Sequence, residues 1–560
     1  MSSLDLLIKE LQAYAKELKP LKDGKLSARV SRRDLLEVVK LLVRRFQARL
    51  AFITGADFGS EGFDIVYVFD ASSLKPRFKL LVETRIPRDD AWIPSTTPIT
   101  LQGLWAEKEI MEFLGIEVRG HPDPRYVWLP YEWPNMPETG APLDPRRVHG
   151  VAAGEGWLPL RARPGSALAS LIPIGPYHPS HVEGQYVRLK LDGEVVEAAD
   201  IKVGFHHRGI SRLIERRGLR RGVLVAEKVC GICSGAHGLA YVSAAERTLG
   251  IDPPERVLYT RTLLAELNRI QSHLLWLGLF SDVIGFKTGF MYSWSFRERV
   301  LDILERLTGN RIAYGVWRVG GVSLEIEKEE ASHVERSLKK LKEEFLSFAE
   351  DFVEHPLVKA RVKGIGVLKP EEARELNVLG PTARASTLQL DVRLQDPPNA
   401  AYDPTTTGWR IVVKDGCDCY SRLLVRLEEV QVSLDVCLNV LDYVCSGELR
   451  AELPDSIEPG AEGVACNEAP RGELVYYMRI QEAEELACLR IRTPSYQNFL
   501  SLAVILKGCM LADVPVIIAS IDQCIACTDR VEIMDGHRRR LLTWTDLVQL
   551  SQRASKREEN

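Results

Sequence analysis

Residues 227–237 of this chain read EKVCGICSGAH, and residues 520–530 read SIDQCIACTDR. Each stretch contains a Cys-x-x-Cys pair, and together they supply four thiols: Cys230, Cys233, Cys524 and Cys527. Two chelating pairs of thiolates form a soft, all-sulfur donor set that suits zinc, an iron–sulfur cluster or nickel. Because about 290 residues separate the pairs, a metal bound by all four would lie at the centre of a large domain.

The spacing of the two pairs leaves three kinds of site open. Zinc ribbons join knuckles that lie a few tens of residues apart in small modules, and a domain of this length has core enough to fold without a structural metal. The spacing therefore favours a catalytic metal, with structural zinc and an iron–sulfur cluster as the alternatives. The other cysteines form no ferredoxin pattern, so electrons leaving the site would need a relay in a partner subunit.

Length and composition predict a multidomain globular protein. The chain has 560 residues, of which 45% are hydrophobic and 27% charged, and its net charge of −4 gives no indication of nucleic-acid binding. The odd number of cysteines, 11, and an N-terminus without an apolar signal segment predict a reduced, cytosolic environment. The apolar residues 499–521, interrupted by Lys507, Asp513 and Pro515, predict a buried helix and then a buried strand rather than a membrane span.

The first part of the chain predicts an α/β module. Residues 1–20 carry leucines near helical spacing up to Leu18, which predicts an amphipathic helix. Short strands are predicted at residues 52–54, 65–69 and 79–84. A Pro- and Gly-rich stretch between Pro130 and Pro164 predicts the connection to the next domain.

The remainder predicts a mainly helical domain with a small sheet, so that the overall class is α+β. Residues 186–191 run as a strand into an Asp-Gly turn. Residues 255–280 are apolar on more than one face, as in a core helix, and residues 325–355 predict a charged amphipathic helix with a solvated face.

Longer segments resemble the large subunits of [NiFe] hydrogenases, in the complex I-related group that includes formate hydrogenlyase. Residues 109–125, EIMEFLGIEVRGHPDPR, look like the signature of the 30-kDa subunit of complex I. Four other segments are similar to the 49-kDa subunit family: GPYHP at 175–179, HRG at 207–209, NRIQSHLLWLG at 268–278 and ARAS at 383–386. Both kinds of relative share these segments, and the four cysteines favour the hydrogenases, because the 49-kDa subunits lack them.

The resemblance divides the chain into four parts. It implies a 30-kDa-like α/β domain at residues 1–150, a linker at 151–170, a hydrogenase-like catalytic domain at 171–530 and a C-terminal extension at 531–560. In this family a maturation protease removes the C-terminal peptide after nickel insertion, and the resemblance places the cut after Arg530. A plain C-terminal helix at residues 543–553 is the alternative.

The resemblance also implies a ligand set. All four thiolates would bind Ni, and Cys233 and Cys527 would also bridge to an Fe that carries CO and cyanide. Cys230 and Cys524 would be terminal on Ni, where a thiolate can be the first base for the proton from polarised H2 before a carboxylate takes it onward. Glu183 matches the family's proton-accepting glutamate, although by itself it is an ordinary acid at a strand edge.

Five more residues match positions around the family's metal centre. Arg471 matches an arginine that sits over the open side and offsets the thiolate charge, and Asp522 matches the acid that orients it. Pro494 and Ser495 match the pair that holds the cyanides, and His237 would donate a hydrogen bond to a bridging sulfur. Outside this resemblance, Arg471 would be a surface ion-pair partner and His237 a core residue.

The chain departs from the family pattern at three positions. Gln523 stands where a Pro usually precedes the third cysteine, which loosens the local turn but leaves the ligand intact. Ser211 replaces the acid of an Arg-Gly-x-Glu motif, and Arg530 replaces a C-terminal His. Because that acid and that His bind Mg in more distant hydrogenases, no Mg is predicted here. With the acid absent, the sequence does not identify the groups that carry protons onward from Glu183.

The sequence therefore predicts the catalytic large subunit of a membrane-associated [NiFe] hydrogenase, which catalyses 2H+ + 2e− ⇌ H2. Its partners would be an iron–sulfur small subunit, membrane subunits and a maturation protease, and it would lie on the cytoplasmic side of the membrane without a span of its own. Two rivals are a complex I-type electron-transfer or quinone-reducing subunit with a vestigial four-cysteine site, and a scaffold with structural zinc.

Overall fold

A computed structural model describes most of the chain. The described residues are 3–21, 25–71, 79–123, 127–128, 170–175, 183–205, 208–396, 398–482, 484–528, 533–535 and 538–540. The predicted linker up to residue 169 and the predicted alternative helix at 543–553 lie outside them. No helix within the described residues is long and apolar enough to cross a bilayer.

The described N-terminal residues form an α/β module around one mixed sheet. Its elements are α1 (Ser3–Leu11), β1 (Ala15–Pro20), β2 (Leu26–Val30), α2 (Leu35–Lys40), β3 (Arg49–Asp57), β4 (Phe63–Asp70), β5 (Lys79–Ile86), β6 (Trp92–Pro94), α3 (Leu104–Leu114) and β7 (Glu117–Arg119). Five strands pair in the order β1-β2-β5-β4-β3, with β2 parallel to β5 and the other neighbours antiparallel. The predicted strands at 52–54, 65–69 and 79–84 are confirmed as β3, β4 and β5.

The predicted helix over residues 1–20 is wrong in its second half. The helix ends at Leu11, and residues from Ala15 to Pro20 form β1, which pairs with β2. Leu7 and Leu11 are fully buried, so the helical pattern holds only where the helix packs on the sheet. Leu18 follows Leu11 at a spacing that fits a helix, but sheet pairing prevails over such a local pattern.

The described residues of the C-terminal domain are mainly helical with small sheets, which confirms the α+β class. Its elements are β8 (Ser170–Ile174), β9 (Tyr186–Asp192), β10 (Val195–Lys202), α4 (Ile210–Arg217), α5 (Gly222–Ala226), α6 (Ser234–Leu249), α7 (Glu255–Val283), α8 (Lys287–Thr308), β11 (Trp317–Arg318), β12 (Gly321–Val322), α9 (Lys328–Glu354), α10 (Pro356–Val362), α11 (Pro370–Glu375), α12 (Gly380–Arg384), α13 (Val392–Gln395), α14 (Pro404–Thr407), α15 (Cys419–Val440), β13 (Glu462–Ala469), β14 (Gly472–Ile480), β15 (Leu486–Arg492), α16 (Pro494–Ile505), α17 (Val514–Ser520), α18 (Ile525–Thr528), β16 (Ile533–Asp535) and β17 (Arg538–Arg540).

Two long helices organise this domain. Helix α7 is buried along most of its 29 residues and packs against α8 and α15, so the predicted core helix is confirmed. Helix α9 buries one stripe and exposes its charged face, so the predicted amphipathic helix is confirmed too. Helix α6, which begins directly after Cys233, packs on β13 and β14. The first Cys pair is therefore anchored, through the N-terminus of α6, to the sheet that contains β13 and β14.

The predicted buried strand after the apolar helix is wrong. Residues 516–519 belong to helix α17, and Pro515 lies in its first turn. A proline is tolerated there because the first backbone N–H groups of a helix have no acceptor within the helix, and its fixed φ suits the helix start. Pro515 therefore marks the beginning of a helix that leads directly to the second Cys pair.

The two domains share a buried interface between their sheets. Strand β4 is buried on both faces: Ile65 and Tyr67 pack among the module's own residues, and Val66 and Val68 pack against the sheet formed by β13, β14 and β15. Side chains of that sheet also bond across the interface, as in the hydrogen bond from Arg490 to the Thr54 hydroxyl (2.7 Å). The N-terminal module is therefore joined to the sheet that supports the candidate site.

Candidate metal centre

Two of the predicted ligands meet although they are 294 positions apart in the chain: the Sγ atoms of Cys230 and Cys524 lie 3.5 Å apart. Both residues are buried, as is Cys233. The Cys230 sulfur accepts hydrogen bonds from the backbone amides of Ile232 (3.3 Å) and Cys233 (3.5 Å). Backbone N–H donors favour a thiolate over a thiol, so the local backbone suits the ionised form that binds metal.

The fourth predicted ligand is only partly described. Cys527 lies in helix α18, and its side chain is outside the described part of the structure. Within the side chains that are described, no three Cys, His, Asp or Glu groups form a metal-binding cluster. The described sulfur donors are Cys230, Cys233 and Cys524.

A buried ion pair lies beside these sulfurs. Arg471, in the turn between β13 and β14, contacts the Asp522 carboxylate (2.8 Å) and donates from Nε to the Asp522 carbonyl (2.7 Å). Burial opposes its charge, but Asp522 and then the thiols of Cys524, Cys233 and Cys230 raise the pKa of Arg471 well above its usual range. Its Nη1 has no hydrogen-bond partner in the described protein. The guanidinium thus offers both charge and a spare donor to the sulfur site.

Asp522 is held in an unusual backbone conformation between two arginines. Its φ is +52°, a left-handed value that Asp tolerates better than most residues. Its Oδ2 atom lies 4.0 Å from Nε of Arg426, which is buried against the ring of Trp276 at 4.3 Å. Burial lowers the pKa of Arg426 to about 10, and Asp522 and Glu429 oppose that change.

Arg426 was not identified from the sequence, although a signal was present. It follows Arg422 by one helical turn in α15, where most neighbouring residues are apolar and buried. A cation on a buried helix face needs a counter-charge, and the partner found is Asp522. The sequence contains no sign of which acid that would be, because 96 positions separate the two residues.

Glu183 contacts the backbone of the second Cys pair. Its Oε2 accepts hydrogen bonds from the backbone amides of Ile525 and Ala526, the second at 2.9 Å. These two residues lie between Cys524 and Cys527 in the sequence. The carboxylate is half-buried and adjoins the same pocket as Cys524.

The other predicted site residues also lie around the sulfurs or on the elements that carry them. The Ser495 hydroxyl accepts a hydrogen bond from the Cys524 amide (3.0 Å), and Pro494 precedes it as the first residue of α16. The His237 ring, one turn into α6, shares a hydrogen bond between Nδ1 and the Tyr476 hydroxyl (2.8 Å). The predicted contacts of these groups with cyanide and with a bridging sulfur stay predictions.

Arg208 is a second residue that sequence reasoning assigned no role. Its guanidinium donates to the carbonyl oxygens of Lys228 (3.0 Å) and Val229, directly before Cys230. It also donates to the carbonyl oxygen of Ala526 (2.9 Å), directly before Cys527. One side chain therefore links the two segments that carry the cysteines.

Comparisons with known proteins place this chain in a family. The family described as "Respiratory-chain NADH dehydrogenase, 49 Kd subunit" matches residues 283–465 and 454–530, and the corresponding 30 Kd subunit family matches residues 28–144. The family "Nickel-dependent hydrogenase" matches residues 208–280, which include the first Cys pair.

Individual relatives agree with these matches. The membrane-bound hydrogenase subunit alpha of Pyrococcus furiosus is 36% identical over 392 residues, which cover 68% of this chain and 92% of the relative. Formate hydrogenlyase subunit 5 of Escherichia coli is 31% identical over 510 residues, which cover 90% of this chain and 89% of the relative. The chain belongs to the family of complex I-related membrane hydrogenase large subunits.

A solved structure supports the same grouping. The structure of the membrane-bound sulfane sulfur reductase, an archaeal respiratory membrane complex, contains a chain that is 29% identical to this one, with a TM-score of 0.61. The match covers 65% of this chain and 98% of that one. Relatives of this hydrogenase-family chain therefore serve as subunits of multi-subunit membrane complexes.

One departure from the family pattern lies beside a predicted sulfur ligand. Gln523 is half-buried, lines the pocket beside Cys524, and its Oε1 has no hydrogen-bond partner in the described protein. Ser211 lies in the first turn of α4 and is half-buried. Arg530 lies outside the described residues, so the predicted absence of Mg stays a prediction.

A buried charge cluster supports the segment that precedes Arg471. Arg269 of α7 donates to the carbonyl oxygens of Glu468 and Ala469 (3.3 Å to Ala469). The Glu468 carboxylate accepts a hydrogen bond from Arg384 (2.7 Å). Burial and the nearby carboxylate of Asp391 raise the pKa of Glu468 to about 7, against the opposing effect of Arg384. The turn that carries Arg471 therefore rests on hydrogen-bonded ion pairs.

Proposed function

We propose that this chain is the catalytic large subunit of an active [NiFe] hydrogenase that interconverts protons, electrons and H2. The observation that carries the proposal is the 3.5 Å approach of the Cys230 and Cys524 sulfurs beside the guanidinium of Arg471. A structural zinc site is closed by four protein ligands and needs no arginine beside it. A buried cation beside a group of thiols is the arrangement expected where negative charge is concentrated for chemistry.

Three of the four proposed sulfur ligands are described, and two of them, Cys230 and Cys524, lie 3.5 Å apart. Cys230, Cys233, Cys524 and Cys527 would hold nickel, and Cys233 and Cys527 would share the iron. The soft donor set suits nickel, and the charge of Arg471 compensates part of the charge of four thiolates. Once bound, the metal pair supplies polarisation of the H–H bond.

The protein groups handle charge and protons. Asp522 fixes the orientation of Arg471 through two contacts, so the guanidinium remains beside the sulfurs during turnover. A thiolate sulfur, that of Cys230 or Cys524, would take the proton released when H2 is split, and a carboxylate oxygen of Glu183 would receive it next. Glu183 is suited to this role because backbone amides next to Cys524 hold its Oε2.

The subunit would act within a membrane complex. Electrons would pass to iron–sulfur clusters of a small subunit, and membrane subunits would hold the chain at the cytoplasmic face. A maturation protease would remove residues 531–560 once nickel is in place. The membrane partners are proposed because formate hydrogenlyase subunit 5 is by name one subunit of a larger enzyme, and the sulfane sulfur reductase chain belongs to a respiratory membrane complex.

The test is elemental analysis of the purified complex together with viologen-linked H2 oxidation. One nickel per chain and H2 oxidation are expected, and Cys524→Ala should abolish both. Cys437→Ala is the matched control, because Cys437 is equally buried but lies in α15 against Leu263. Loss of nickel in both variants, or no nickel in the unmodified complex, would overturn the proposal.

A complex I-type quinone-reducing subunit is the second candidate, favoured by the matches of both complex I families along the chain. It predicts no nickel, quinone-dependent activity and an intact C-terminus. The intact mass of the mature chain separates the two, because the hydrogenase proposal expects residues 531–560 to be absent. A single zinc in place of nickel would favour a scaffold instead.

A further inference from the structure

A small cavity lies beside Cys524. Its volume is about 70 Å³, and Trp276 and Phe280 of α7 form part of an apolar wall. Glu183 and Gln185 are among its polar lining residues. The predicted proton acceptor Glu183 and the predicted ligand Cys524 therefore line the same cavity.

Several buried polar atoms on this cavity have no hydrogen-bond partner in the described protein. Both amide atoms of Gln185, a residue only 1% exposed, are among them. The third is Oε1 of Gln523. More than about 90% of buried polar atoms in proteins have partners, and an unpaired one is destabilising. Three such atoms on two residues that line one cavity indicate that something polar satisfies them.

Water is the occupant that fits both the volume and the chemistry. A buried water needs roughly 10–15 Å³ and two to four polar partners, so the cavity has room for several. An apolar occupant such as H2 would leave the amide atoms of Gln185 and Gln523 unpaired. The unpaired atoms include both donors and acceptors, which is the mixture that a hydrogen-bonded water cluster requires.

We infer that Gln185 is a positioning residue that holds a water cluster through which protons leave Glu183. This inference rests on the proposed hydrogenase function. A proton on a Glu183 carboxylate oxygen passes to the nearest water, and that water releases one of its own protons to the next. The Gln185 amide binds one water through its oxygen and another through its N–H groups and does not itself change protonation. Ser211 stands where the family has an acid, so a carboxylate at that position is not present to carry the proton. The cavity beside Glu183 is then the route by which protons leave.

The test uses Gln185→Leu in the purified complex, with nickel content, high-resolution density in the cavity and H2/D2O isotope exchange measured together. Nickel should be retained, ordered waters should be lost, and exchange should fall about tenfold or more, as for other residues that support a metal site indirectly. Gln185→Glu, which can still bind water, should restore most of the exchange. Gln102→Leu is the control, because that partly buried glutamine accepts a hydrogen bond from the Leu50 backbone amide in the N-terminal module.

Two results would overturn the inference. One is an empty cavity in the unmodified complex, with Gln185→Leu raising the midpoint of thermal unfolding because unpaired polar atoms have been removed. The other is unchanged isotope exchange in a Gln185→Leu complex that retains its nickel. Absence of nickel and of H2 oxidation in the unmodified complex would instead contradict the proposed function, so the two failures are distinguishable.

Discussion

The guanidinium of Arg208 bonds the carbonyl oxygen of Ala526 at 2.9 Å, across 318 positions of sequence. Its remaining hydrogen bonds go to carbonyls just before Cys230. The planar, multi-donor guanidinium can reach both segments at once, which a lysine ammonium on its flexible stem cannot do with the same geometry. Arg208 therefore fixes the position of one Cys-x-x-Cys segment relative to the other.

Replacement of Arg208 by Lys should lower the nickel content of the purified complex by about tenfold, the lower end of the effect seen for residues that orient metal ligands. Because Lys keeps the positive charge, a loss of nickel would show that the geometry of the guanidinium donors is required. Metal analysis at matched protein concentration measures it. Arg220→Lys, at an exposed ion pair with Glu484, should keep full nickel; equal nickel in both variants would exclude the linking role of Arg208.

Asp522→Asn should destabilise the C-terminal domain by about 3 kcal/mol, because breaking a buried pair leaves an uncompensated buried charge on Arg471. Denaturant unfolding of the full chain measures the change. Asp513→Asn provides the comparison: Asp513 pairs with Arg361 at 3.8 Å where both side chains are partly exposed, and such pairs contribute about 1 kcal/mol or less. Similar effects for the two variants would mean that the Arg471 pair is not structurally important.

The fold could be predicted from the sequence where one local pattern determines the structure. The apolar faces of α7 correctly indicated a core helix, and the alternation of apolar and polar residues in β9 correctly indicated a strand. The prediction failed at β1, where pairing with β2 outweighs a helical spacing, and at α17, where Pro515 begins the helix instead of ending it. Both failures concern interactions that a local pattern does not contain.

The candidate site depended on resemblance more than on pattern. Cys-x-x-Cys spacing identified the four sulfurs, but nothing in the spacing brings Cys230 to Cys524. Arg208 and Arg426 were missed because their partners are a distant backbone carbonyl and a distant acid. Such long-range polar contacts leave no periodic signal in a single sequence.

Glu183→Gln should keep nickel and lower H2 turnover by about a hundredfold, the lower end of the range for a general acid–base group. The amide oxygen of Gln can still accept the hydrogen bonds from Ile525 and Ala526, so the local backbone should be preserved. It cannot accept and release a proton at neutral pH. Metal analysis and viologen-linked turnover measure the two quantities, and full turnover in this variant would remove Glu183 from the mechanism.

Glu468 should make stability depend on pH. Its ordinary pKa of 4.5 rises to about 7 in the folded protein, first because of burial and then because of Asp391. The folded protein therefore holds a proton that the unfolded chain releases, and the resulting stabilisation is complete below pH 4.5 and is lost as the pH rises through 7. In Glu468→Gln, the drop in the denaturant midpoint between pH 5 and pH 7.5 should become smaller. An unchanged drop would show that Glu468 titrates at the same pH in both states.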